Sequence, residues 1–207
     1  MRTKNISDGQ NRQSFIEAAR RAQIIECAIE TIATVGYGQA SLAQIAQRAG
    51  ISKGVISYYF NSKEELIEQI VREVYEAGAK FMTPQIAAQP TATLMLQTYI
   101  RTNVEYIGAH RMGMMAIIEI ALNYRTKDGE LRYGVPTEEP VIAALEGLLR
   151  KGQQDGEFRE FDLRVMAVTI RRAIDAVGSQ LAANENLDVD EYARELVVLF
   201  DLATRKD

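Results

Sequence analysis

The sequence is poor in the residues that build disulfides and metal sites. It contains one cysteine, Cys27, one histidine, His110, and no tryptophan. A disulfide within the chain needs two cysteines, and a structural zinc site needs about four Cys or His ligands, so both are excluded. We therefore expect no metal and no cofactor.

Long apolar runs are also missing. The longest, such as 114–118 and 196–200, fall far short of the roughly 18 residues that cross a bilayer. The N-terminus lacks the apolar stretch of a secretory signal. We expect a cytoplasmic protein without a membrane partner, and its 207 residues, 47% of them hydrophobic, are enough to bury a core.

Catalytic motifs are the third absence. His110 has no evident Cys or Ser partner, and no phosphate loop, H-E-x-x-H or G-x-S-x-G pattern occurs. The sequence therefore does not predict an enzyme. An all-α adaptor that binds proteins and not DNA is the main alternative to the interpretation below, and an enzyme is a more distant one.

Charge is distributed unevenly along the chain. Residues 1–63 carry eight basic and four acidic side chains, a net charge of +4, whereas the remainder carries 16 basic and 24 acidic ones, a net charge of -8. A basic first third suits contact with a polyanion, but an uneven solvated surface explains the same numbers.

Apolar residues recur at helical spacing almost throughout, and no segment alternates with period two, which predicts an all-α fold of about nine helices. Residues 1–13 are polar and basic without a period, and we interpret them as a flexible arm. The predicted helices cover 14–35, 42–49, 53–59, a segment from Ser62 that Pro84 ends, 92–109, 112–124, 138–154, 163–183 and 189–205.

The second and third predicted helices are short and closely joined. Ser41 and Gln44 form a capping box, Gly50 ends the second helix, and Ser52 caps a third that runs from Lys53. Two short helices joined by a tight turn containing glycine are typical of a helix-turn-helix.

The residues from Gly36 to Leu66 resemble the DNA-binding domain of TetR-type (TetR/AcrR) transcriptional repressors. Gly-x-x-x-x-Ser-Leu, Ile-Ala, Ala-Gly-Ile-Ser-Lys-Gly, Tyr-Tyr-Phe and Ser-Lys-Glu-Glu-Leu occur in the order and spacing of that family, and the match covers about 14–66. The resemblance implies an N-terminal three-helix DNA-binding domain over 14–63. It implies a helical ligand-binding and dimerisation domain over 64–207.

The resemblance and the helix pattern together indicate which side chains contact double-stranded DNA. A short helix fits a major groove about 12 Å wide, and helix N-termini attract phosphate oxygens. The expected DNA-binding residues are Ser41, Ser52, Lys53, Gly54, Val55, Ser57, Tyr58, Tyr59 and Lys63.

Several of these residues have alternative roles. Tyr59 suits packing beneath the third helix, Gly54 a loose first turn, and Lys53 and Lys63 solvated surface positions. Ser57 stands where many family members carry Tyr. Ala43 occupies a position that sometimes bears a long basic side chain, so direct base readout is expected to be sparse. The basic residues of the arm, which suit a minor groove or a solubilising tail, are Arg2, Lys4 and Arg12.

The resemblance further implies a homodimer on a palindromic operator, because two copies held about 34–36 Å apart read one helical turn. The last two helices are the expected interface, although core packing within one chain explains part of the same pattern. The expected dimerisation residues are Val165, Ile174, Val177, Leu181, Leu196, Leu199 and Phe200.

A small-molecule pocket is expected between residues 92 and 155. Flexible thioethers and amphipathic rings suit an apolar or cationic-amphipathic effector, with Glu119 facing either a cation or water. Core packing is the alternative for the methionines and tyrosines, and His110 suits a helix end. The expected effector-binding residues are Tyr99, Tyr106, Met112, Met115, Glu119 and Tyr124. Release from the operator is expected to follow effector binding through the fourth helix.

Overall fold

The computed structural model describes residues 4–133, 135–184 and 186–206. Within them the fold is all-α, as predicted, with nine helices. They are α1 (Lys4–Val35), α2 (Leu42–Arg48), α3 (Lys53–Tyr59), α4 (Lys63–Ala87), α5 (Ala92–Ala109), α6 (Arg111–Asn123), α7 (Val135–Gln154), α8 (Leu163–Ala183) and α9 (Val189–Thr204).

Three helix boundaries differ from the sequence prediction by more than one residue, at the beginning of α1, the end of α4 and the beginning of α7. The backbone of α1 is helical from Lys4, where we predicted a flexible arm. The first residues of α1 contain no proline that would break a helix. They also lack the apolar period on which the prediction relied, so that method could not detect a helix there. Arg2 and the side chains of Lys4 and Arg12 lie outside the described residues. α7 begins at Val135, a turn earlier than predicted, and runs through Pro140.

The prediction that Pro84 ends the fourth helix is wrong. α4 continues through Pro84 to Ala87, because proline adopts a helical φ and removes only one backbone donor. The carbonyl of Pro84 accepts from the amide of Ala88 at 3.1 Å, which closes one more turn.

The chain forms two compact units that divide inside α4, between Arg72 and Glu73. The first unit contains α1 to α3 and the first turns of α4. Its buried core is aliphatic with one aromatic ring, and its members are Ile24, Ile25, Ala28, Ile32, Ala40, Ile45, Ala46, Ala49, Ile56, Phe60, Leu66, Ile67 and Ile70.

The second unit packs α5 against α7, α8 and α9 around one apolar cluster. Glu157 fixes the beginning of α5, since its carboxylate accepts from the amides of Ala92 and Thr93 at 2.9 and 2.8 Å. Exposed ion pairs join α7 to α8, in which Arg164 binds Glu139 and Arg172 binds Glu138. No described helix is long and apolar enough to cross a membrane.

Candidate DNA-binding and effector sites

The predicted helix-turn-helix consists of α2, a short turn and α3. Ser41 accepts from the amide of Gln44 at 3.3 Å, and the Gln44 side chain accepts from the amide of Ser41 at 2.9 Å, which completes the capping box. Gly50 turns the chain with a φ of +65°, a value that favours glycine. The Ser52 hydroxyl then caps α3 by accepting from the amide of Val55 at 3.4 Å.

α3 buries one face and exposes the other. Ile56 is fully buried and Phe60, just past the helix, is 1% exposed, so these two residues anchor α3 to the core of the first unit. Ser52, Lys53, Gly54 and Ser57 are exposed, and Tyr58 is 72% exposed, whereas Val55 and Tyr59 are half-buried. The exposed face therefore presents hydroxyls, an ammonium and a phenol ring to solvent.

Gly54 lies in an open part of this surface. A Cβ built there meets only the Ser52 hydroxyl, at 3.7 Å, which is an ordinary contact. Nothing in the described part of the chain therefore requires glycine at this position. The lack of a side chain at Gly54 leaves the backbone open to a molecule that approaches from outside the chain.

Two predicted phosphate contacts are engaged within the chain. The Lys63 ammonium donates to the carbonyl of Tyr37 at 2.8 Å and lies 4.4 Å from the centre of that ring. Burial lowers the pKa of Lys63, although Glu64 raises it again in part. Ser41 is occupied by its capping box, so a phosphate has to share both groups with these partners.

Sequence reasoning missed the side chains of α1 that hold the motif in place. Arg21 donates to the carbonyl of Tyr59 at 3.0 Å, and its guanidinium lies 4.3 Å from the centre of the Phe60 ring. Gln23 donates to the carbonyl of Ala49 at 3.1 Å. These hydrogen bonds hold the ends of α3 and α2. A spacing rule cannot predict them, because the donor and acceptor residues are 26 or more positions apart in the sequence.

The second unit contains a cavity of about 370 Å³. Its walls come from α4, α5, α6, α7 and α8, and most of its lining is apolar. The lining residues are Val74, Tyr75, Gly78, Ala79, Met82, Thr83, Ile86, Tyr99, Asn103, Tyr106, Ile107, Met114, Ile117, Pro140, Val141, Ala144 and Arg171.

The cavity has a buried end and an open side. Asn103, Tyr106, Ile107 and Ile117 are no more than 7% exposed. The lining residues on α4 and α7 include exposed ones, among them Tyr75 at 52%. A ligand therefore has an entrance between α4 and α7, and this volume falls within the usual range for small-molecule sites, about 300–1,000 Å³.

Arg171 is the charged residue of the lining, and its side chain is only 15% exposed. Its guanidinium binds the Asp175 carboxylate and donates to Asn103 Oδ1 at 3.0 Å. Burial lowers the pKa of Arg171, but Asp175 and the adjacent Tyr99 raise it by more, so the guanidinium stays charged. The Tyr99 hydroxyl is buried and makes no hydrogen bond of good geometry with any residue that the structure describes.

Tyr106 connects the cavity to α4. Its ring forms part of the lining and stacks on His110 with ring centres 4.0 Å apart. Its hydroxyl donates to the carbonyl of Val74 at 3.1 Å, and burial raises the pKa of this phenol. His110 Nδ1 lies 2.9 Å from the carbonyl of Tyr106, so the histidine sits at the helix end, as expected.

The expected effector-binding residues divide between cavity and surroundings. Tyr99 and Tyr106 line the cavity, whereas the other four, Met112, Met115, Glu119 and Tyr124, are not among its lining residues. Helical rotation explains the difference, because Met114 and Ile117 of α6 face the cavity and their neighbours face elsewhere. Glu119 accepts from Asn123 at 3.3 Å, and Met112 is 41% exposed.

The expected dimerisation residues divide in the same way. Ile174, Val177, Leu181, Leu196 and Phe200 are no more than 8% exposed and belong to the core cluster of the second unit, so they offer little surface to a second copy. Their role in an interface stays a prediction. Val165 and Leu199 are 65% and 55% exposed. The pattern could not separate the two groups, because both sides of α8 and α9 carry apolar residues.

The comparisons with known proteins agree with this architecture. Residues 24–70 match the family model of bacterial regulatory proteins, tetR family. The fatty acid metabolism regulator protein of Bacillus subtilis is 29% identical over 168 residues, which cover 79% of this chain and 84% of that protein. Regulators named BetI match the chain over 29% to 53% of their own length, for example 52% of the protein from Cronobacter sakazakii at 34% identity.

Solved structures share the fold over most of the chain. The transcriptional regulator FadR from Bacillus subtilis, in complex with stearoyl-CoA, has a TM-score of 0.73 at 24% identity and covers 86% of this chain and 96% of its own. A proposed transcriptional regulator from Saccharomonospora viridis, in complex with choline, has a TM-score of 0.77 at 20% identity and covers 92% of this chain and 100% of its own.

A capped helix-turn-helix with an exposed second helix, carried on an all-α body, defines a DNA-binding transcriptional regulator. The matched family model covers α2, α3 and the parts of α1 and α4 that hold them. Residues 24–70 form a DNA-binding domain of the tetR family of bacterial regulatory proteins. The resemblance seen in the sequence is thereby confirmed, together with the all-α fold that it implied.

Proposed function

We propose that this protein is a homodimeric repressor that binds a palindromic operator and is released from it by a small effector held in the cavity. The observation that carries the proposal is α4, which is one continuous helix. Its first turns belong to the unit with the helix-turn-helix, and its later turns supply seven lining residues of the cavity. A ligand that moves α4 therefore acts on a helix shared with the DNA-binding unit.

The exposed face of α3 suits the major groove. Tyr58 and Ser57 reach base edges or phosphates, Lys53 supplies charge, and Gly54 permits a close approach of the backbone. Hydroxyls outnumber long basic side chains on this face, so phosphate positioning and DNA shape contribute much of the affinity. A regulator that works on DNA in a bacterial cell acts in the cytoplasm.

The exposed apolar side chains of α8 and α9 are the proposed dimer contact. Val165, Val198, Leu199 and Leu202 are each more than half exposed, at 52% to 65%. Side chains of this size favour contact with a second copy over water. A twofold pair would place two α3 helices on successive half-sites, about 34–36 Å apart.

The cavity favours an apolar-bodied effector. Both stearoyl-CoA and choline occur in complexes of proteins with this fold. Here the carboxylate that suggested a cationic effector, Glu119, is not part of the lining, and the charged lining residue is Arg171. An acyl or similar chain suits these walls better than a quaternary ammonium group does.

Fluorescence anisotropy tests DNA binding and release together. An operator fragment taken from the DNA that flanks the coding region is titrated at several salt concentrations without ligand, and at one fixed salt concentration with and without the ligand. We expect affinity to fall steeply with salt, as phosphate contacts require, and to fall about 5- to 150-fold with ligand, as allosteric coupling of about 1–3 kcal/mol implies. Binding without salt dependence, or an unchanged titration with a ligand that binds the cavity, contradicts the proposal.

A pair of variants tests the dimer. Leu199→Glu places a charge in the proposed interface and should give monomers that lose operator binding. Leu122→Glu places the same charge on α6, at a leucine that is 62% exposed, and should change neither property. Sedimentation velocity measures the mass, and a wild-type protein that is monomeric at micromolar concentration refutes the model.

A further inference from the structure

The polar end of the cavity has a donor without an acceptor. The hydroxyl of Tyr99 is buried and has no hydrogen-bond partner of adequate geometry among the described residues. The neighbouring polar group is the guanidinium of Arg171, which only donates hydrogen bonds. Whatever Tyr99 Oη receives from Arg171, its own proton therefore has no acceptor among the described residues and is available to an acceptor atom of a ligand.

The same end of the cavity is already balanced in charge. Arg171 is paired with Asp175, and Asn103 Oδ1 accepts a further guanidinium proton at 3.0 Å. An added carboxylate would lie close to Asp175, and an added cation would lie close to Arg171. Burying a full charge of either sign without a counter-ion is costly, so the site favours a neutral group.

The size and walls of the cavity limit the rest of the ligand. A volume of about 370 Å³ holds roughly a dozen non-hydrogen atoms, taking about 30 Å³ for each water-sized group. Apolar side chains from Val74, Ile107, Met114 and Ile117 surround most of this space. The open side between α4 and α7 leaves room for a longer ligand to continue into solvent.

We propose that the effector is an apolar molecule with a neutral carbonyl group, whose oxygen accepts the proton of Tyr99 Oη beside Arg171. Ketones, esters and thioesters share this chemistry, whereas free carboxylates and quaternary ammonium ions do not. The inference rests on the proposed function for its biological meaning, because it names the chemical class of the effector. Its test requires only binding, with no DNA present.

Isothermal titration of the wild-type protein with three ten-carbon probes tests the proposal. The probes are 2-decanone, decanoate at pH 8 and decyltrimethylammonium, each below its micelle concentration. We expect 2-decanone to bind at least tenfold more tightly than the other two. Equal affinities for the ketone and the ammonium ion, or no binding of the ketone, overturn the inference.

Tyr99→Phe removes only the unpartnered hydroxyl. Its affinity for 2-decanone should fall about tenfold, which corresponds to about 1.4 kcal/mol, while its melting temperature stays the same or rises. Tyr133→Phe, which removes a phenol outside the cavity lining, should leave the affinity unchanged. Unchanged ketone binding in Tyr99→Phe overturns the assignment of the hydroxyl.

Asp175→Asn tests the charge argument independently. Without that carboxylate the Arg171 charge is uncompensated. The affinity for decanoate should therefore rise at least tenfold relative to the affinity for 2-decanone in the same variant. The readout is a ratio of two affinities, which a general loss of stability does not shift in this direction. An unchanged ratio overturns the charge argument. Failure of the repressor model appears separately, as a lack of operator binding or release.

Discussion

Gly54→Ala separates the stability of the DNA-binding unit from its function. The new methyl group meets only the Ser52 hydroxyl, at 3.7 Å, so it creates no clash within the chain. Alanine in a helix is more favourable than glycine by up to about 1 kcal/mol. We therefore expect the free energy of unfolding to rise by up to that amount. The gain should be smaller than the full value, because Gly54 is near the beginning of α3 and less of its backbone freedom is restricted there.

Operator binding should change in the opposite direction. If the first turn of α3 meets the floor or wall of the groove, the added methyl group occupies space that the DNA needs. The cost of such overpacking is typically about 1–3 kcal/mol, a loss of about 5- to 150-fold in affinity. Anisotropy measures the affinity, and urea denaturation measures the stability.

Gly147→Ala is the matched control. Gly147 is an exposed helical glycine in α7, and a Cβ there meets nothing within 4 Å. It should bring a similar gain in stability without altering operator affinity. A Gly54→Ala protein that is stabilised and binds the operator as tightly as the wild type refutes the proposed approach of this backbone to DNA.

Three further substitutions test other parts of the structure. Tyr106→Phe keeps the cavity wall but loses the 3.1 Å hydrogen bond to the Val74 carbonyl. Ligand affinity, measured by calorimetry, should stay within about threefold of the wild-type value. Ligand-induced release from the operator, measured by anisotropy, should weaken up to about fivefold, since one hydrogen bond contributes about 1 kcal/mol. Glu157→Gln should destabilise by about 1 kcal/mol at pH 7. Burial raises the pKa of Glu157, but its two amide bonds lower it by more, so the stabilisation is complete above the unfolded value of about 4.3 and is lost as pH falls through the lowered folded value. Urea titrations at a series of pH values from 7 downwards should show the difference and its decline. Gly152→Ala should cost about 1–3 kcal/mol in the same assay at pH 7, because the new Cβ would lie 2.1 Å from the Phe158 ring.

The DNA-binding unit was largely predictable because its signals are local. Capping by Ser41 and Ser52, the turn at Gly50 and the burial of Ile56 each follow from residues a few positions apart. The contact of Arg21 with the end of α3 was not predictable, since it joins positions 38 residues apart and no pattern in either segment signals it.

The cavity was less predictable because its lining depends on the rotation of several helices at once. The sequence indicated Tyr99 and Tyr106 as lining residues but not Arg171. Arg171 lies on α8 next to Arg172, and from the sequence alone it resembles an ordinary surface charge. A rotation of one residue on α6 exchanges Met115 for Met114. Likewise, α8 and α9 are apolar on two sides, and only the packed structure shows which side their own chain uses.

The exposed ion pairs between α7 and α8 affect how salt titrations must be designed. Arg164 with Glu139 and Arg172 with Glu138 hold the helix that forms one side of the cavity entrance, and ions in solution weaken such pairs. Raising the salt concentration therefore weakens the ion pairs beside the cavity entrance and, at the same time, the attraction between the protein and the DNA phosphates. A count of phosphate contacts from the salt slope is sound only for the ligand-free protein, and measurements with effector need a constant ionic strength.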